Sequence, residues 1–260
     1  MPRIHYAQGV NMFEITLSTC KNREYDIEFI MAKIRPEIKS LRGILTFAEV
    51  DGRQKLALAV PENKKDYFIA ILFNTLCEAI IKSYKFEYFM KNIKLHLNNK
   101  ITEVAFLKAL TMFDKNSDKE IIKKYIPLSG EVLIDSLYNF RLWELEKRWD
   151  EVIKLVEDNK GYLLLSGSFV DLMKFLILSI EPEIDEVHLY KGDGNIYCLN
   201  KNQKELFNCM YAENNEEFKI TIISELITLA PEKIILHFGA ECEELRLYIK
   251  NLFELKVEEK

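Results

Sequence analysis

The chain has 260 residues, of which 48% are hydrophobic and 30% are charged, and it carries a formal net charge of −5. This composition excludes an intrinsically disordered protein, because enough apolar surface is available to form a sizeable core. The length is compatible with one large domain or with two packed subdomains, and we favour two subdomains.

The cysteines indicate a reducing compartment. There are five of them, an odd number, and no two are spaced as a CxxC pair. We therefore predict reduced thiols in a cytoplasm, with neither a disulfide framework nor a zinc site. The residues concerned are Cys20, Cys77, Cys198, Cys209 and Cys242.

The apolar segments do not predict secretion or membrane insertion. The amino terminus has no apolar run followed by a small-residue cleavage site, so we expect no signal peptide. Residues 67–81 are too few to span a bilayer, and residues 163–180 contain Asp171 and Lys174. Both stretches predict core helices, so we expect a cytoplasmic protein without a membrane span.

Residues 1–62 predict a small β-containing subdomain. Residues 12–18 show the alternation of a half-buried strand, and Glu24–Ser40 has the period of an amphipathic helix. Two runs rich in β-forming residues then flank Asp51-Gly52, a dipeptide typical of tight hairpin turns. The predicted order is therefore strand, helix and hairpin.

Residues 63–181 predict a helical region, because glycines are few and helical periods dominate. One set of apolar residues follows alternating steps of four and three: Tyr138, Leu142, Leu145, Trp149, Val152 and Val156. This spacing predicts a single long helix packed along a partner helix.

Residues 182–260 predict a second β-containing subdomain. A hairpin is expected over residues 186–200, followed by helix 216–229, strand 233–238, helix 241–252 and strand 254–258. Successive strand, helix and strand predict right-handed parallel crossovers, and hence a mixed sheet with helices on one face. The predicted class is α+β, a helix-rich centre flanked by two small β-containing parts, as separate subdomains or as one compact unit.

Motifs for catalysis, cofactors and metals are absent from the sequence. It contains no GxxxxGK[ST], GxGxxG, GxSxG or HExxH pattern. We therefore predict no catalytic residue, no cofactor and no metal site, and we favour a protein that is not an enzyme.

Two of the four histidines suggest a ligand site. His237 ends a predicted buried strand just before Gly239 and a helix start, a position where α/β folds often place ligands. His188 lies on an earlier strand and would be next to His237 if the two strands pair. The candidate ligand site is therefore His188, His237 and Gly239. The alternative is that each histidine is a partly buried polar residue closing a strand. His5 and His96 have no such context.

A basic stretch suggests an interaction face. Lys82, Lys85, Lys91 and Lys94 alternate with aromatic residues, and basic side chains outnumber acidic ones between residues 82 and 126. The alternatives are contact with a protein or acidic partner, or an ordinary solvated helix face. Arginine is almost absent here, which disfavours nucleic-acid recognition.

Three segments carry a resemblance to a known family. The runs YNFRL at residues 138–142, EP and EVHL at residues 181–189, and LITLAPEKIILH at residues 226–237 resemble, in order and spacing, the YtxC-like sporulation protein family. The similarity covers roughly residues 130–257. It implies a cytoplasmic protein of endospore-forming bacteria that is linked to sporulation, and it supplies this context without a mechanism.

Two hypotheses about function follow. The first is a non-catalytic module that binds a protein partner or itself, which the missing motifs and the uneven charge favour. The second is an enzyme or small-ligand-binding protein with a dispersed site near His237 and His188. A concave pocket lined by these groups would favour the second.

Overall fold

The computed structural model describes residues 11–95, 97, 99–127, 129–165, 168–212 and 215–259. His5 and His96 lie outside the described residues. The chain divides into two compact units. Unit 1 comprises Met1–Lys85 and Asn116–Glu151, and unit 2 comprises Phe86–Lys115 and Val152–Lys260. The units differ from the three consecutive segments predicted above, since each takes part of the helical region.

The predicted α+β class is confirmed, because the described residues form ten α-helices and two mixed sheets. The helices are α1 Glu24–Ser40, α2 Lys65–Ala79, α3 Phe86–Asn92, α4 Lys100–Met112, α5 Lys115–Lys123, α6 Ile134–Arg141, α7 Trp143–Leu165, α8 Ser168–Ser179, α9 Glu216–Leu229 and α10 Glu243–Phe253. The strands are β1 Met12–Cys20, β2 Ile44–Val50, β3 Arg53–Pro61, β4 Gly130–Leu133, β5 Ile184–Gly192, β6 Asn195–Asn200, β7 Glu205–Met210, β8 Pro231–Leu236 and β9 Val257–Glu259.

The sheet of unit 1 has the order β2-β3-β1-β4. The predicted hairpin is present, and both Asp51 and Gly52 have positive φ in its turn. Strand β4 was missed and lies inside the predicted helical region, where it pairs parallel with β1. Four residues are too short a run for periodicity to reveal.

The core of unit 1 lies between this sheet and its helices. Helix α1 buries Ile27, Ile30 and Ile34, and β1 and β3 contribute Leu17 and Leu56. The three- and four-residue steps on the helix and the two-residue steps on the strands place these side chains on facing surfaces.

Helix α2 continues beyond its predicted end. A π-helical segment, Ile80–Lys85, joins it to α3, so the stretch Glu62–Asn92 is long and apolar enough by length and composition to cross a membrane. The continuous helical stretch is therefore longer than the apolar run of residues 67–81 considered above. Half of its most apolar 18-residue window is buried, and Phe68 and Leu72 lie in the core of unit 1, as in a core helix of a globular protein.

The predicted single helix over residues 138–156 is wrong, because α6 ends at Arg141 and α7 begins at Trp143. Leu142 lies between the helices with non-helical dihedral angles, and its carbonyl accepts from the Leu145 amide at 2.9 Å. Three of the regularly spaced apolar side chains are nevertheless buried, since Leu142, Leu145 and Trp149 are at most 1% exposed. A period that continues through a break does not reveal the break.

The sheet of unit 2 has the order β7-β6-β5-β8-β9. Strand β5 pairs parallel with β8, and β8 pairs parallel with β9. Both crossovers run in the same direction across the sheet, and for this order the right-handed rule expects α9 and α10 on one face. Strand β7 was missed and extends the predicted hairpin.

Candidate functional site

The parallel pairing of β5 with β8 brings His188 and His237 together. Leu189 is opposite Leu236, and the amide of His237 donates to the carbonyl of Leu189 at 2.9 Å. Side chains alternate along a strand, so Val187 and Leu189 point to the buried helix face while His188 points to the opposite face. The sequence predicted that the two histidines would be neighbours if these strands pair, and the strands do pair.

The two imidazoles form one hydrogen-bonded chain with a carboxylate. Nδ1 of His188 lies 2.9 Å from Nε2 of His237, and Nε2 of His188 lies 2.7 Å from Oε1 of Glu186. His188 is buried, whereas Glu186 and His237 are half-buried. We name Glu186, His188 and His237 the histidine chain.

The tautomers of the histidine chain follow from its hydrogen bonds. When His188 is neutral, its Nε2–H donates to Glu186 and its Nδ1 accepts from His237 Nε2–H. When His188 is protonated, both of its N–H groups donate, one to Glu186 and one to His237. One N–H group fits between the two rings in either state, so the histidine chain provides a hydrogen-bonded path for a proton.

Neighbouring side chains hold the histidine chain in place. The ring of Tyr190 stacks on that of His237 with centroids 4.0 Å apart and planes at 10°. Lys233 lies 3.9 Å from Glu186 and 2.8 Å from Glu258. The carboxylate of Glu186 is therefore shared between an imidazole and an ammonium group. Glu186 and Tyr190 lie two residues before and two residues after His188, so the two-residue period of the strand places them on the same face as His188.

Gly239 differs from its predicted role. It is exposed and precedes a 3-10 turn, Ala240–Cys242, and α10 starts only at Glu243. Glu241, Glu243 and Glu244 surround this start, so the local charge disfavours an anion. In the described part of the chain, no group of three or more His, Cys, Asp or Glu side chains is arranged to hold a metal ion.

A cavity in unit 2 lies away from the histidine chain. It has a volume of about 340 Å³ and is lined by residues of α4, α9 and α10, among them Ile101, Lys219, Glu244 and Tyr248. Lys219 and Glu244 form an ion pair across it. His188 and His237 are not among its lining residues.

The predicted lysine face is not continuous. Lys82 contacts Glu78 at 3.5 Å and lies in unit 1, whereas Lys91 and Lys94 are exposed in unit 2. Lys85 does not lie on the predicted interaction face, because its side chain is only 4% exposed and forms an ion pair with Asp118 at 2.6 Å. A π turn takes more residues than an α turn, so Lys85 rotates away from the side occupied by Lys82.

Lys85 belongs to a buried polar cluster that the sequence analysis missed. Asp118 is 1% exposed, and its second oxygen accepts from Trp149 Nε1 at 3.3 Å. Desolvation lowers the pKa of Lys85 and raises that of Asp118. The guanidinium of Arg23 lies 3.7 Å from the ring centroid of Tyr84 on the same π segment. No sequence period marks a π turn, so nothing in the sequence indicated that Lys85 faces inward.

Burial makes the thiols of Cys77 and Cys198 chemically unreactive. Desolvation raises the pKa of Cys77 and that of Cys198 to about 12, so both remain protonated at neutral pH. Both side chains are fully buried. They act as small core residues.

The α6–α7 corner exposes two large aromatic side chains. Phe140 is 79% exposed and Trp143 is 62% exposed, on either side of the buried Leu142. Arg141 between them is also exposed. We call Phe140, Arg141 and Trp143 the aromatic corner. In the sequence, Phe140 and Trp143 both lie outside the apolar spacing of residues 138–156, which is the signal that indicates their exposure.

Comparison with known protein families gives a match over most of the chain. The model of the YtxC-like family matches residues 65–258, which extends the resemblance seen in the sequence towards the amino terminus. No curated protein matches the chain. No solved structure matches it either.

Proposed function

Because the chain belongs to the YtxC-like family, we propose that it is a cytoplasmic, sporulation-associated protein that acts by binding another protein without catalysing a reaction. The sporulation context comes from the resemblance of the carboxyl-terminal segments to that family. The mode of action is supported by the surface of unit 1.

The aromatic corner is the observation that carries this proposal. Water-exposed Trp and Phe side chains are unfavourable on a monomer, and aromatic residues with arginine are enriched at protein interfaces. Phe140 and Trp143 flank one guanidinium group, Arg141, and the buried Leu142 fixes the chain between them. The corner is therefore a preorganised anchor with apolar contact area and one positive charge.

The test is capture of a partner from sporulating cells by the tagged full-length protein. The double variant Phe140→Ala/Trp143→Ala removes both aromatic anchors, and Met210→Ala/Leu255→Ala removes two comparably exposed apolar side chains of unit 2. We expect the native chain and the Met210/Leu255 variant to retain the same partner and the corner variant to lose it. Equal recovery by both variants, each with native thermal stability, would contradict the proposal.

The histidine chain favours a second candidate, a small-ligand or enzymatic site. The observation that supports this candidate is the direct hydrogen bond between the imidazoles of His188 and His237, together with the hydrogen bond from His188 to the carboxylate of Glu186. Such an arrangement can transfer a proton. In a thermal-shift screen of metabolites, a ligand of this site should raise the Tm of the native protein but not that of His237→Ala. Hits that stabilise both proteins equally would exclude the histidine chain as the site.

A further inference from the structure

Strand β2 is an edge of the unit 1 sheet with few of the usual protective features. Among the described residues it pairs with β3 alone, and none of its seven residues is buried. It contains no proline, and its single charged residue, Glu49, forms an ion pair with Lys21 at 3.0 Å. Natural edge strands are generally short, charged, bulged or covered, because an open edge pairs with other strands.

The turn defines which backbone groups of β2 face outward. Val50 and Arg53 flank the two-residue turn and are opposite each other in the hairpin register. Residues flanking such a turn exchange hydrogen bonds, and the bonded positions then recur every second residue. The open edge therefore presents the N–H and C=O groups of Leu45, Phe47 and Glu49.

We propose that β2 pairs antiparallel with β2 of a second copy of this chain, across a two-fold axis at Phe47. In this register Phe47 is opposite Phe47 of the other copy, and Leu45 is opposite Glu49. All three outward residues then form hydrogen-bonded pairs. Sliding either strand by two residues leaves only two such pairs, so the symmetric register satisfies the most backbone groups.

The side chains favour the same register. Glu49 faces the apolar Leu45 of the other copy, so like charges are not opposed. Phe47, at 44% exposure, lies on the same face as Leu45 and is opposite the buried Leu56 on β3. Each Phe47 would therefore cover the other and extend the apolar face beneath α1. A second copy is thus a complementary occupant in both backbone and side chains.

The experiment measures the mass of the purified full-length protein in solution by light scattering and sedimentation. Phe47→Lys places two ammonium groups opposite each other at the two-fold axis, and Tyr67→Lys makes the same kind of change at an aromatic residue of α2 that is 58% exposed. We expect a dimer for the native chain and for Tyr67→Lys, and a monomer for folded Phe47→Lys. A monomeric native chain, or a dimer that Phe47→Lys leaves intact, would overturn the proposal.

Cross-linking tests the register itself. Hydrogen-bonded antiparallel partners have Cα atoms about 5.5 Å apart, which is within disulfide range. Phe47→Cys should therefore form a covalent dimer under mild oxidation, whereas Tyr67→Cys and the native chain should not. Equal cross-linking of all three would contradict pairing at Phe47. Since Phe140→Ala/Trp143→Ala leaves β2 unchanged, it should remain dimeric even where it loses its partner, which separates this proposal from the proposed function.

Discussion

The ion pair of Lys85 and Asp118 is buried in unit 1, so its formation removes two charged groups from water. Both side chains are almost fully removed from water, and desolvation shifts both pKa values towards the neutral forms. Such a pair offsets its desolvation only through close contact and additional hydrogen bonds, here from Trp149. Its value therefore lies in fixing the orientation of the π segment against α5.

Removing one partner of this pair should destabilise the protein more than removing both. We expect Asp118→Ala to lower the free energy of unfolding by about 3–5 kcal/mol, because Lys85 then stays buried without this carboxylate. The double variant Lys85→Met/Asp118→Leu should recover most of the loss, since it buries no charge. Urea unfolding monitored by the fluorescence of Trp143 and Trp149 measures both free energies. A double variant as unstable as Asp118→Ala would contradict this reasoning.

At the scale of elements, two glycines have opposite conformational roles. Gly52 has a φ of +71° in the β2–β3 turn, a backbone conformation that residues with a side chain rarely adopt. Gly161 lies within α7, is exposed and has no atom within 4 Å of where a Cβ would be placed. Gly52 is needed for the positive φ of the turn. Gly161 only increases the conformational entropy that the chain loses when α7 forms.

The same substitution should therefore have opposite effects at these two positions. Gly52→Ala is expected to lower the free energy of unfolding by about 1 kcal/mol, because alanine is strained at positive φ. Gly161→Ala is expected to raise it by about 0.5–1 kcal/mol, because alanine favours the helix. Urea unfolding of the two variants decides the signs. Changes of the same sign would show that one of the backbone assignments is wrong.

The elements also show how far sequence patterns reach. Asp51-Gly52, the run Glu216–Leu229 and the strand before His237 were predictable, because turn chemistry and periodicity act over a few neighbouring residues. Strand β4, the break at Leu142 and the π segment were not, because each depends on packing against distant chain. The proximity of His188 and His237 was only partly predictable. Both strands could be predicted from the sequence, but their pairing could not.

At the scale of the whole molecule, two units carry different surfaces. Unit 1 holds the aromatic corner and the open edge of β2, and unit 2 holds the histidine chain and a cavity of about 340 Å³. The family match at residues 65–258 covers the aromatic corner and the histidine chain but not β2. Partner binding at the corner and self-association at β2 would thus involve different elements of unit 1.

The most direct measurement is the dissociation constant between the purified native protein and the partner captured from sporulating cells, compared with that of Phe140→Ala/Trp143→Ala. We predict binding at least about 30-fold weaker for the variant, since two anchor side chains at about 1 kcal/mol or more each are lost. The Met210→Ala/Leu255→Ala control should bind as the native protein does. Identical constants for the native protein and the corner variant would contradict the account.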